Sequence, residues 1–89
     1  MQIPDCIAVD FETKPIGQRP GTYPPEPVGV AIQYPNSEPD YYAWGHPTGN
    51  NCDRSTAMGA LIDALRWGLP ILCHHAKFDL AVAYEKLGL

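Results

Sequence analysis

Apolar residues alternate with polar or small ones near the start of the chain: Ile7, Val9 and Phe11 fall on one face of an extended segment, Ala8, Asp10 and Glu12 on the other. A strand is expected over residues 5–13. The β-rich runs VGVAIQY (28–34) and YYAWG (41–45) flank PNSEPD, whose Pro, Asn, Ser and Asp supply turn chemistry, so they read as a hairpin. Over residues 53–67, Met58, Leu61, Ile62 and Leu65 recur at helical spacing, with Asp53 or Ser55 as cap and Gly68 as stop. The run PILCHH (70–75) is too short for a helix and reads as a buried strand. Residues 77–87 return to helical spacing through Leu80, Ala83, Tyr84 and Leu87. The expected order is therefore β-β-β-α-β-α, an α/β mixed sheet. Its first three strands are antiparallel, and a helical crossover sets the fourth beside the first.

Between the first two strands, residues 14–27 hold five of the ten prolines and two glycines. They are expected to form a long, partly polyproline loop, and loops of that length in small domains are often functional. With 89 residues the chain suits one modest core and hence one domain or a piece of one. No run approaches the roughly 18 apolar residues of a membrane span, and the first residues lack the plan of a secretory signal. A soluble, cytoplasmic protein is expected. Cys6, Cys52 and Cys73 are odd in number and show no CxxC spacing, so reduced and mostly buried thiols are expected rather than a disulfide framework or a zinc site. Six Lys and Arg against ten Asp and Glu give a net charge of −4, which excludes a broad basic nucleic-acid-binding face. A grip on phosphate through metal ions remains open.

Asp10 and Glu12 are the chemical oddity. Residues i and i+2 of a strand lie about 7 Å apart on one face, within reach of one cation or a pair of cations. Carboxylates in apolar surroundings cost several kcal/mol unless compensated, and oxygen donors favour magnesium or manganese over zinc. At an exposed strand end the same two acids would simply be solvated. A third acid, Asp79, follows the second apolar strand in CHHAKFDLAV. In the expected topology it lies at the sheet edge where the first strand ends, the side on which α/β ligand sites gather. Its plainer reading is a first-turn helix acid, favoured by the macrodipole at about 0.3 to 1 kcal/mol.

The pairing of DFET (10–13) with HAKFD (75–79) resembles the first two motifs of the DEDD 3′-to-5′ exonucleases, in the branch found as proofreading domains of family A, notably phage-type, DNA polymerases. The likeness covers nearly all of the chain, and the intervening elements suit a ribonuclease H-like fold. It implies that residues 1–89 are the N-terminal part of an exonuclease domain. Asp10, Glu12 and Asp79 would then be catalytic and would bind two Mg2+ or Mn2+ ions, hydrolysing the terminal phosphodiester of a single-stranded DNA 3′ end. Thr13 matches the threonine after the glutamate, a contact for the terminal nucleotide. His75 stands where the family usually has asparagine and keeps a hydrogen-bonding side chain beside the substrate. Phe11 and Phe78 are assigned to packing. The resemblance further implies a polymerase domain as C-terminal partner, a bacterial or phage-infected host cytoplasm, and a fourth aspartate in a third motif, led by a tyrosine or histidine. That motif lies beyond Leu89, so weak or no catalysis is expected of these residues alone.

Two rival readings remain: a non-catalytic ribonuclease H-like domain kept for structure or interaction, and a small metal-binding protein, which accounts for DFET but not for its pairing with HAKFD. Other constellations have ordinary explanations. Cys73, His74 and His75 point to alternating faces and cannot share one ion on a regular strand. Tyr41, Tyr42 and Trp44 suit a base-stacking platform or, more commonly, core and cross-strand packing. GHPTGNN (45–51) is loop chemistry without phosphate-loop spacing. Lys77 and Arg54 suit phosphate contact or plain solvation equally.

Overall fold

The computed structural model of the chain describes residues 5–14, 25–73, 79 and 81–88, Tyr84 by its backbone alone. Four strands form one mixed sheet: β1 (Ile7–Thr13), β2 (Pro27–Gln33), β3 (Asp40–Ala43) and β4 (Ile71–Cys73). Their spatial order is β3-β2-β1-β4. β1 pairs antiparallel with β2, and β2 with β3, while β4 runs parallel to β1 with Val9 opposite Cys73. The expected topology is therefore present: the one long crossover, through helix α1 (Arg54–Leu65), brings β4 alongside the first strand. The bend between β2 and β3 is made by Asn36 at φ 59°, a left-handed conformation that asparagine tolerates, and Ser37 N–H donates to the Tyr34 carbonyl at 3.2 Å.

The alternation in β1 is realised as read. Ile7, Val9 and Phe11 are buried, whereas Asp10 and Glu12 are exposed on the opposite face. Val30 and Ile32 of β2, Leu61 and Ala64 of α1, and Val82 of the C-terminal helix complete the core. That helix includes Asp79 and residues 81–87 and is wound as a π-helix over Val82–Lys86. Such windings are rare and occur often at functional sites.

Three expectations need correction. Of the expected stripe Met58, Leu61, Ile62 and Leu65, Leu61 is buried, Met58 and Ile62 are half-buried and Leu65 is 42% exposed, while Ala57 and Ala64 complete the buried face of α1. Alanines at two of the three contact positions let the helix backbone approach the sheet, and the larger residues fall to the flanks. β4 is not a buried strand: Leu72 is 59% exposed, because the three residues have cover on one face only. The thiols are all free, as expected, but each is half-buried rather than buried. Between the two possible caps, Asp53 is the one that works, accepting the Thr56 N–H at 2.7 Å, a bond that holds its carboxyl below the usual range. Gly68, at φ 98°, ends the turn after α1 as expected. Most of the proline-rich segment, His74, His75, Lys77 and Phe78 lie outside the described residues, and Pro27, assigned to that loop, is the first residue of β2. No helix among the described residues is long and apolar enough to cross a membrane.

The corrected helix face makes a contrast that urea unfolding can read. Leu61→Ala removes a fully buried side chain and is expected to cost about 2–5 kcal/mol. Leu65→Ala, on the exposed flank, is expected to cost less than about 1 kcal/mol.

Candidate metal centre

The odd-numbered amides of β1 point toward β4, as Ile7 N–H shows by donating to the Pro70 carbonyl at 2.9 Å. Among the described residues β4 pairs with β1 as far as Cys73, opposite Val9, and the next amide on that side, Phe11 N–H, meets no carbonyl of the described strand. Asp79 takes its place: its Oδ1 accepts the Phe11 N–H at 3.3 Å. The carboxylate is 1% exposed, the one buried charged side chain among the described residues. The chain thus brings a helix carboxylate onto the backbone of the residue that separates Asp10 from Glu12.

Electrostatics at Cys73 report the same convergence. Burial pushes its thiol up first, and the negative charges of Asp79 and then Asp10 push it further. Both carboxylates therefore act on one sulfur at the end of β4. Glu12, the third acid, is turned elsewhere. Among the described residues no three His, Cys, Asp or Glu side chains are gathered closely enough to hold one ion. The donors are all carboxylate oxygens, a set that fits Mg2+ or Mn2+. In this arrangement each acid has its own surroundings: Asp10 solvent, Asp79 a backbone amide, Glu12 a side-chain network.

That network joins β1, β3 and the loop after β3. Tyr41 Oη donates to Glu12 Oε2 and lies 3.1 Å from His46 Nε2, which itself stands 3.5 Å from Glu12 Oε1. With the proton on Nε2, the imidazole donates to the phenol oxygen and the phenol donates to the carboxylate. Glu12 faces Gly29 in the β1–β2 register, and Gly29 faces Ala43 of β3, so the Tyr41 ring must cross β2 diagonally to arrive. It crosses over Gly29, where a Cβ would stand 2.5 Å from the phenol oxygen. Immediately past Glu12 the register slips by a bulge, which turns Thr13 to face Pro27. The surroundings of Tyr41 hold its phenol up at about 12, chiefly through desolvation and then through the hydrogen bond and charge of Glu12.

Beside the network lies an open cleft lined by Glu12, Thr13, Lys14, Val28, His46 and Pro47. Of the residues singled out in the sequence, Asp10, Glu12 and Asp79 thus share one end of the sheet, and Thr13 lines the adjoining cleft. His75 lies outside the described residues. Tyr41, His46 and Gly29 were not foreseen as parts of this region. Tyr41 had been read as packing or stacking, yet it is 42% exposed and spends its hydroxyl on an acid. The available signal was Gly29, an isolated glycine inside a β-branched run, which marks a close approach.

Two outcomes are expected. Because the folded state favours the neutral Tyr41 phenol, its contribution to stability is intact below pH 10 and is lost as the pH rises toward about 12. Denaturation midpoints across that window should therefore fall more steeply for the wild type than for Tyr41→Phe. At Cys73, Asp10→Asn should speed iodoacetamide alkylation at neutral pH, since it removes one of the charges that suppress the thiolate. The rates are read by mass spectrometry in a Cys6→Ser, Cys52→Ser background.

Comparison of the chain with protein-family models, with curated proteins and with solved structures finds no match.

Proposed function

We propose that the chain is the N-terminal part of a metal-dependent 3′-to-5′ exonuclease domain of ribonuclease H-like fold, acting on single-stranded DNA ends. The observation that carries the reading is the Asp79 carboxylate seated on the Phe11 amide, between the two acids of DFET. A parallel β4 beside β1, paired up to the residue before Asp10, supports it as well. So does the charge: a net −4 opposes a phosphodiester, and oxygen-bound divalent ions would supply positive charge at the site.

In this reading Asp10, Glu12 and Asp79 hold two Mg2+ or Mn2+ ions. When bound, such a pair supplies positive charge to both the attacking and the departing oxygen of an in-line displacement at phosphorus. Asp79 is a fixed point, because its amide bond and burial deny it other orientations. Asp10 is free to turn toward a cation from solvent. Thr13 and His46 line the cleft beside Glu12, where the terminal nucleotide would lie. A polymerase domain is the partner that the resemblance implies, and a third motif would supply the remaining aspartate.

Titration of Mn2+ into the chain, read by calorimetry, and release of mononucleotides from single-stranded DNA test the reading together. Asp10→Ala is expected to weaken Mn2+ binding by more than about 10-fold and to abolish whatever slow release the wild type shows. Mn2+ affinity unchanged by the substitution, or measurable release that persists undiminished in Asp10→Ala, would overturn it. Mn2+ binding that depends on Asp10 but is accompanied by no release would favour a non-catalytic domain of the same fold.

A further inference from the structure

The network around Glu12 is more elaborate than an exposed acid requires. The Tyr41 hydroxyl donates to Oε2, while His46 approaches both the hydroxyl and Oε1. Each of these partners is itself held. His46 sits at the start of a loop closed by reciprocal bonds, its N–H donating to Asn50 Oδ1 at 2.9 Å and its carbonyl accepting from Asn50 Nδ2 at 2.8 Å. Asn51 Nδ2 donates to the Tyr41 carbonyl at 2.7 Å, and its Oδ1 accepts the Ala43 N–H at 2.8 Å, so β3 is pinned beneath the tyrosine. Gly45 lets the loop lie on β2, since a Cβ there would stand 3.1 Å from the Val28 Cα. Gly29 leaves room for the phenol to meet the carboxylate, since a Cβ there would stand 2.5 Å from the phenol oxygen.

We propose that Tyr41 and His46 are positioning residues for Glu12, fixing the orientation in which its carboxylate receives a divalent cation, and that Gly29 is the gap through which they act. The inference rests on the reading of Glu12 as a metal ligand. A carboxylate offers about four lone-pair sites, and the tyrosine and histidine occupy at most one on each oxygen, which leaves acceptor capacity for a cation. A glutamate has three rotatable side-chain bonds, and holding it beforehand removes the entropy cost of ordering it when the ion arrives. Hydrogen-bonded partners of ligating groups commonly change metal affinity by about 10- to 100-fold when removed. The phenol reaches this acid from a different strand, so the pairing of β2 with β3 becomes part of the ligand's geometry.

Calorimetric Mn2+ affinity of the chain provides the test, with thermal unfolding run on every variant. Tyr41→Phe, which keeps the ring and loses the hydroxyl, is expected to weaken Mn2+ binding by about 10-fold. Gly29→Ala, which removes no polar group but displaces the phenol, is expected to do the same; if it does not fold, Tyr41→Phe decides alone. His46→Gln, which retains a donor, should bind Mn2+ more tightly than His46→Ala. In a Glu12→Gln background, Tyr41→Phe should have no further effect. If Glu12→Gln weakens binding while Tyr41→Phe does not, the positioning role is overturned and the metal site stands. Equal losses from Tyr41→Phe in both backgrounds would also overturn it, because the tyrosine would then act through the fold. If Glu12→Gln itself leaves the affinity unchanged, the metal-ligand reading fails at its root.

Discussion

The arrangement at the end of the sheet depends on one backbone amide. Among the described residues the parallel ladder of β4 with β1 runs as far as Val9 and Cys73. Phe11 N–H lies two residues further along, and a buried donor left without an acceptor costs about 1–3 kcal/mol. The Asp79 carboxylate accepts it and so continues with a side chain what the strand began with carbonyls. The bond also settles the position of the C-terminal helix, whose Val82 enters the core three residues later. One contact therefore ties a strand, a helix and a charge together.

Around that fixed point the three carboxylates meet different physical conditions. Asp79 is buried and anchored, Asp10 faces water, and Glu12 is gripped by two side chains from another part of the chain. Negative charge gathered in this way is repulsive unless something answers it, and the elevated thiol of Cys73 is one visible sign of the local potential. Lys14 lines the cleft beside Glu12. Among the described residues ion pairs join His46 to Glu12 and Lys86 to Glu26.

Much of the fold was legible because its signals are local. The alternation of Ile7, Val9 and Phe11 against Asp10 and Glu12 reports a half-buried strand directly, and Asp53 and Gly68 bracket α1 as cap and stop. Large apolar residues at helical spacing mark Leu61 of α1, buried for its bulk, but not the alanines that share its face. Ala57 and Ala64 are buried for the opposite reason, since close packing on a sheet selects small residues. Asp10, Glu12 and Asp79 could be picked out as acids in unlikely places. The company Glu12 keeps could not, because Tyr41 is 29 residues away and reaches it only through the register of two strand pairs. Such diagonal contacts have no periodicity to betray them; only the glycine they cross leaves a trace.

The asparagine that pins β3 has a consequence for how the sheet meets other chains. By occupying the outward N–H of Ala43 and the outward carbonyl of Tyr41, the Asn51 side chain imitates a neighbouring strand and closes that flank to backbone pairing. On the other flank, β4 is the last strand of the described sheet, with an exposed leucine at its centre. Lateral growth of the sheet is thus polar: blocked at β3 by a side chain, and directed toward the β4 side, where any further strand would extend the sheet next to the carboxylates rather than away from them.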